Sequence, residues 1–296
     1  MAAKPFLKWV GGKTQLLPEI RKRYPETVIK YCEPFVGGGA VLFDVLQTFH
    51  PQEVLINDIN PELINLYETV RDNCDELVKL LKTFQTEYLE TAQEKRQQLY
   101  IGKRDTYNHF ILENNRQNNL EKAALLIYLN KTCFNGLYRV NKKGLFNVPF
   151  NRAVNPLICD EENLRECSAL LQNVQMHVGD YSYCREFIDA NTLVYIDPPY
   201  RPLTETSSFT SYNEDEFDDD KQITLGKFIR DIAKEDAFVI ASNSDPKNSN
   251  EQDDFFDKLY KGFTIIRIHA ARMINSNANK RGPINELLIT NIASIF

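Results

Sequence analysis

The sequence predicts an α/β protein: a doubly wound mixed sheet interrupted by an inserted, mainly helical segment. Three observations carry that reading. Short apolar runs rich in β-branched residues alternate with amphipathic stretches of helical period, the pattern of a largely parallel sheet wrapped by helices. The alternation stops near residue 61 and resumes near 166, and the sequence between is polar, charge-rich and helical. Two of the apolar runs end in a glycine-rich or proline-rich turn, at the strand end where open α/β sheets bind ligands.

The elements follow in order. Residues 28–35 form a strand leading into Val36-Gly37-Gly38-Gly39-Ala40, and a helix follows over 41–48. Residues 53–57 form a second strand ending at Asp58. Within the inserted segment, 104–120 carries an Asn/Gln-rich stretch, and 134–150 reads as a β-hairpin turning at Asn141-Lys142-Lys143-Gly144. Strand patterns resume at 174–178, 193–196, 237–241, 263–269 and 286–292. Helices fit 221–234, with Ile223, Leu225, Phe228, Ile229 and Ile232 on one face, and 253–259. The polar stretches 243–253 and 275–284 are loops, and there is no internal repeat.

Composition limits the function classes. At 296 residues and 43% hydrophobic, the chain holds one large domain or a domain with a sizeable insertion. No apolar run approaches the roughly 20 residues needed to span a bilayer, and the N-terminus lacks a signal-peptide core. Six scattered cysteines without a Cys-x-x-Cys pair read as reduced thiols in a cytoplasmic protein. Four histidines and no close Cys/His pairs give no basis for a metal site. The net charge is −6, yet residues 122–159 and 258–285 contain six cations each and no acid. Such runs are either solvated faces or a phosphate-binding surface; two of this length favour the second.

Asp197-Pro198-Pro199-Tyr200 lies directly behind the apolar run Thr192-Leu193-Val194-Tyr195-Ile196. The prolines remove backbone donors and stiffen the turn, so its carbonyls become aimed acceptors. Acceptors beside an aromatic ring suit a planar group bearing an amino substituent; the plainer reading is a rigid turn with a capping Asp. Gly37, Gly38 and Gly39 follow the first strand and open a helix, and Asp58 lies about twenty residues on, the arrangement of a nucleoside-bearing cofactor. Leu42 stands where the dinucleotide fingerprint has its third glycine, which disfavours NAD. Leu7 stands where a phosphate-cradling loop ending Gly12-Lys13-Thr14 needs glycine, which disfavours a nucleotide triphosphatase. No Pro-Cys dipeptide is present for cytosine-C5 methylation.

Collinear motifs then carry a resemblance across nearly the whole chain. They are Phe6-Leu7-Lys8-Trp9-Val10-Gly11-Gly12-Lys13, Glu33-Pro34-Phe35-Val36-Gly37-Gly38-Gly39-Ala40 and Asn57-Asp58-Ile59-Asn60. Next come Asn135-Gly136-Leu137-Tyr138-Arg139-Val140-Asn141, Phe146-Asn147-Val148-Pro149, Gly179-Asp180-Tyr181, Asp197-Pro198-Pro199-Tyr200 and Phe209-Thr210-x-Tyr212. Together they closely resemble the Dam/DpnII-type DNA adenine-N6 methyltransferases, the alpha group of the D12 class.

The resemblance implies the Rossmann-like, S-adenosylmethionine-dependent methyltransferase fold. It implies a catalytic, cofactor-binding domain over 1–60 and 166–296 and a DNA target-recognition domain over 61–165. It places Trp9, Lys13, Pro34, Phe35, Asp58 and Asp197 near S-adenosylmethionine, with Gly37, Gly38 and Gly39 at its methionine moiety and Asp180 and Tyr181 at its adenine. Asp197, Pro198, Pro199 and Tyr200 form the catalytic set. Lys8 and Arg139 would read the outer G·C pair of a GATC site, and Leu137 and Pro149 would lie near the inner bases. Asn135, Asn141 and Lys142 would also meet DNA, and Phe209 and Tyr212 would close over the site. The implied substrate is double-stranded DNA with one adenine flipped out, and a cognate restriction endonuclease is an implied functional partner; no metal and no membrane are implied. Two alternatives remain: a non-catalytic DNA-binding relative, and amino methylation of another nucleic acid or of protein.

Overall fold

A computed structural model describes residues 2–113, 116–201, 217–271 and 283–292. The chain contains α1 (Leu17–Arg21), β1 (Lys30–Glu33), α2 (Ala40–Phe49), β2 (Glu53–Asp58), α3 (Pro61–Asp72), α4 (Cys74–Glu90), α5 (Arg96–Glu113) and α6 (Asn119–Thr132). It continues through α7 (Glu161–Leu171), β3 (Val174–Val178), β4 (Thr192–Ile196), α8 (Asp219–Lys234), β5 (Phe238–Ser244), α9 (Phe255–Leu259), β6 (Thr264–Ala271) and β7 (Pro283–Thr290). Among the described residues seven strands are ordered β3-β2-β1-β4-β5-β7-β6. β1 pairs in parallel with β2 and β4, and β4 with β5; β7 runs antiparallel to β5 and β6. This is a mixed sheet, parallel at its centre and antiparallel at the β7–β6 edge.

The chain divides into two compact units, each assembled from separated segments. One comprises Lys13–Val36, Phe49–Asn57 and Asp180–Phe296. Its centre is β4, all five residues of which are buried. A continuous apolar run suits a strand covered on both faces, as parallel sheets are. Val194, Ile196, Val239, Ala241, Leu287 and Ile289 of the sheet share a core with Leu225, Ile229 and Ile232 of α8 and with Phe256 and Tyr260. The helical stripe of α8 thus faces the sheet. Asp218 starts α8 by accepting from the Lys221 N–H, and Asp219 and Asp220 complement the positive helix end.

The other unit comprises Met1–Gly12, Gly37–Thr48 and Asp58–Gly179. α6 is its axis and contacts α3, α4 and α5. Residues 122–130 of α6 are all buried, so the helix is apolar nearly all round. Tyr128 meets Phe84 and Tyr88 edge-on, with ring centroids 5.9 and 6.1 Å away. Asn60 caps α3, its Oδ1 accepting from the Glu62 and Leu63 N–H groups, and Pro61 occupies the first helical position.

Three sequence expectations change. The strand expected over 28–35 is only Lys30–Glu33, because Pro34 has no N–H to give a ladder. The last strand, expected over 286–292, is Pro283–Thr290. The hairpin expected over 134–150 makes no regular ladder: isolated bridges join Cys133 to Phe150 and Val140 to Phe146. The Asn141–Gly144 turn does form, closed by the Gly144 N–H on the Asn141 carbonyl at 2.9 Å. Phe209, Tyr212 and most of the loop expected over 275–284 lie outside the described residues.

Candidate active site

The Asp197 turn leaves the C-terminal end of β4, where the sequence put it. Both carboxylate oxygens of Asp197 are engaged. Lys13, only 4% exposed, sets its Nζ 2.7 Å from Oδ2. Ser242, at the end of the neighbouring strand β5, donates its hydroxyl to Oδ1 at 2.9 Å. Ser242 has one proton and spends it there, so the Tyr195 hydroxyl, 3.0 Å away, donates to Ser242. The Pro199 carbonyl accepts from Gln222 Nε2 at 3.2 Å, and Gln222 is itself held by Asn243. No protein donor among the described residues bonds to the Pro198 carbonyl.

Tyr200 is fixed at two points. Its hydroxyl donates to Glu286 Oε2 on β7 at 2.8 Å, and Lys13 Nζ lies 4.9 Å from its ring centroid. Burial first, and the nearby Asp197 and Glu286 carboxylates next, push its phenol well above the usual range, so it stays a neutral donor. The sequence did not single out Tyr195, Gln222, Ser242, Asn243 or Glu286. The polar run Ser242-Asn243-Ser244-Asp245 at the end of a strand beside β4 was the available signal.

In the same unit, Phe35 and Tyr181 pack with ring centroids 5.4 Å apart, and Tyr181 meets Phe228 edge-on. Asp180 is exposed and caps the short 3₁₀ helix Tyr181–Phe187 by accepting from the Ser182 N–H at 2.9 Å. Pro34 is buried, and its carbonyl accepts from Asn57 Nδ2 at 2.9 Å.

The other unit holds the glycine loop. Gly37 (φ +47°) and Gly39 (φ +70°) have left-handed backbones. A Cβ on Gly37 would lie 3.0 Å from Trp9 Cδ1, and one on Gly39 would lie 2.4 Å from the Tyr67 hydroxyl. Asp58 accepts from the Gly37 N–H at 3.1 Å and from the Asn60 N–H at 3.0 Å. Burial raises its carboxyl pKa, against the lowering pull of these backbone donors. Trp9, Gly37, Gly38 and Asp58 are therefore one cluster, and its bare backbone cradle fits a nucleoside-bearing cofactor with an amino-acid tail.

The loop carrying the base-reading candidates belongs to this unit too. Lys8, Asn135, Arg139, Lys142 and Pro149 are exposed, while Leu137 and Asn141 are partly covered. Arg139 is braced by Asn147, donating Nε to Oδ1 at 2.7 Å and Nη2 to the carbonyl at 3.0 Å. Asn141 Oδ1 accepts from the Lys143 and Leu145 N–H groups, a structural duty that shapes the turn. Phe134 is 51% exposed beside Asn135, an apolar ring that sequence reasoning passed over.

Acids from outside the two acid-free stretches pair with cations of both. Lys122 is buried and paired with Glu62 at 3.2 Å. Arg267 is paired with Asp245 and Asp257, and Lys258 with Asp254. Arg272, Lys280 and Arg281 lie outside the described residues. Arg139, Lys142, Lys143 and Arg152 remain exposed and form no ion pair with an acid among the described residues. All six cysteines are free. Among the described residues no acid, His or Cys cluster could hold a metal, and no helix is long and apolar enough to cross a membrane.

Comparison with known proteins gives the family. The family model for D12 class N6 adenine-specific DNA methyltransferases matches residues 9–274. A Type II methyltransferase, M.MjaIII, of Methanocaldococcus jannaschii is 48% identical, covering 98% of this chain and 100% of its own. The Type II methyltransferase M1.LlaDCHI of Lactococcus lactis subsp. cremoris is 37% identical, covering 97% of this chain and 95% of its own. A DNA adenine methylase of Haemophilus influenzae is 34% identical, over 96% of this chain and 92% of its own. A family match over most of the chain and relatives aligned almost end to end give one conclusion: this chain belongs to the D12 class of N6 adenine-specific DNA methyltransferases.

Proposed function

We propose that the chain transfers a methyl group from S-adenosylmethionine to N6 of an adenine flipped out of duplex DNA, within a GATC site. The observation that carries the reading is the Asp197 turn, an acceptor set beside an anchored aromatic ring. Adenine N6 is conjugated with its ring, and its lone pair is a poor nucleophile. Asp197 and the Pro198 carbonyl accept its two hydrogens and favour a more tetrahedral amine. Lys13 and Ser242 hold the carboxylate in place, so little reorganisation is needed when positive charge develops on nitrogen. The proton released by N6 after transfer goes to Asp197 or to water. Tyr200 supplies a stacking face, and a target unreachable within the duplex must leave the stack to meet it, at a cost of a few kcal/mol.

S-adenosylmethionine, when bound, supplies an electrophilic methyl on its sulfonium. In the unit built round α6, Trp9, Gly37, Gly38, Gly39 and Asp58 would hold it. Lys13, Pro34, Phe35, Asp180 and Tyr181 are the further residues we assign to the cofactor. We assign residues 61–165 to DNA recognition and residues 1–60 and 166–296 to catalysis. Arg139 and Lys8 read guanine through its O6 and N7 acceptors, with Leu137 and Pro149 near the inner bases and Asn135, Asn141 and Lys142 alongside. The relatives named Type II methyltransferases support a cognate restriction endonuclease as functional partner, and the reaction belongs in the cytoplasm with the DNA.

The test is incorporation of labelled methyl from S-adenosylmethionine into a GATC duplex and into a duplex lacking that site. Digestion to nucleosides should recover the label as N6-methyladenine from the first only, and the product should resist an endonuclease that cleaves unmethylated GATC. Equal incorporation into both would overturn the GATC assignment. None into either would leave a DNA-binding relative without catalysis.

A further inference from the structure

Tyr138 sits between two base-reading candidates but does something neither of them does. It stacks on Trp9, with ring centroids 5.0 Å apart and planes 21° from parallel. Trp9 in turn lies against the glycine loop: a Cβ on Gly37 would come within 3.0 Å of Trp9 Cδ1, and one on Gly38 within 3.0 Å of Trp9 Cβ. Asn60, whose N–H is held by Asp58, turns its side chain toward the Tyr138 hydroxyl. Burial raises the Tyr138 phenol, so the ring remains neutral. An unbroken line of contact therefore runs from the glycine loop through Trp9 to Tyr138, one peptide from Arg139.

A second link is parallel to the first. Asn130, buried in α6, donates Nδ2 to the carbonyls of Lys8 at 2.9 Å and Gly136 at 2.8 Å, and accepts from the Lys8 N–H at 3.0 Å. Gly136, with φ +65°, has Lys8 so close that a Cβ would lie 2.6 Å from Lys8 Cδ. Residues 8 and 9 are thus gripped from one side by the loop that carries Arg139 and from the other by the loop assigned to the cofactor.

We propose that Tyr138 is a positioning residue that couples cofactor binding at the glycine loop to DNA reading by the loop of Arg139. This rests on the function proposed above. A cofactor that fixes the glycine loop fixes the Trp9 plane, and a fixed plane holds the Tyr138 ring and orders the segment around it. DNA then meets a loop whose ordering entropy has already been spent, and by linkage DNA tightens the cofactor by the same factor.

Trp9 is the only tryptophan in the chain, so its fluorescence reports this junction directly. The experiment titrates the full chain with sinefungin, an unreactive S-adenosylmethionine analogue, with and without a GATC duplex, reading Trp9 emission. The reverse titration follows anisotropy of a labelled duplex. In the unsubstituted protein each ligand should tighten the other equally, by about fivefold or more. In Tyr138→Ala the mutual effect should fall below about twofold, while each ligand alone keeps its Kd within about threefold. Tyr138→Phe keeps the ring and should keep the coupling. If Tyr138→Ala does not fold, Tyr138→Leu fills the volume without offering a ring face and reads the same quantity. Coupling that survives in the Ala or Leu variant, that is absent from the unsubstituted protein, or that vanishes equally in Tyr138→Phe overturns the proposal. Failure of the unsubstituted protein to bind either ligand is a different result, and it overturns the proposed function itself.

Discussion

Asp197 accepts from Lys13 on one oxygen and from Ser242 on the other, and Ser242 is backed by the buried Tyr195 hydroxyl. A carboxylate held on both sides keeps one orientation, which an acceptor for a reacting amine requires. Asp197→Ala should therefore lower kcat by about a hundredfold or more while the cofactor still binds; substantial turnover in single-turnover assays would remove Asp197 from the chemistry. Ser242→Ala removes one hydrogen bond to a charged group and should lower kcat about tenfold with little change in KM for DNA, and Ser242→Thr should restore most of it. A loss confined to KM would show that Ser242 serves binding instead. The Asp197–Tyr200 turn was legible in the sequence because its four residues are contiguous and stand directly behind a strand. Ser242 and Glu286 were not, since the fold brings them from 45 and 86 positions away in the chain.

The glycine loop behaves as an element, and its order was readable: strand, glycines, helix, strand, acid. What could not be read was why each glycine is there. Gly39 combines a left-handed backbone with a Tyr67 hydroxyl that would stand 2.4 Å from a Cβ, while Tyr67 donates to the Gly37 carbonyl at 3.0 Å. Gly39→Ala must then strain the backbone and displace the tyrosine that shapes the loop. It should destabilise the protein by about 1–3 kcal/mol, seen as a lower midpoint in urea, and weaken cofactor binding further. An unchanged midpoint would mean that the loop relaxes freely. The loop of residues 134–150 shows the opposite limit. Its turn was legible from Asn141 and Gly144, but alternation also implied a ladder that does not form. Asn108 from α5 instead accepts the Phe146 N–H and donates to its carbonyl, a pairing no local pattern announces.

For the whole molecule, net charge and charge pattern point in different directions, and the fold decides between them. A chain at −6 binds phosphates only where cations stand apart from acids. Acid-free stretches of sequence are not acid-free surfaces: Glu62 reaches Lys122, and Asp245 and Asp257 reach Arg267. The exposed cations left in the first stretch are Arg139, Lys142, Lys143 and Arg152, all on or beside the loop of residues 134–150. If these four release counterions on binding, the logarithm of DNA affinity should fall with the logarithm of salt concentration at a slope of about −4. Lys142 and Lys143 lie exposed in the turn, apart in sequence from Arg139 and Leu137. Replacing both with Gln should flatten the slope by about 2 and weaken GATC and non-GATC duplexes alike. Arg139→Ala should instead erase discrimination at one guanine, worth about 1–3 kcal/mol. Affinities measured from low to moderate salt on both duplexes separate the two roles. A double variant that kept the full slope would move the phosphate-binding surface away from this turn.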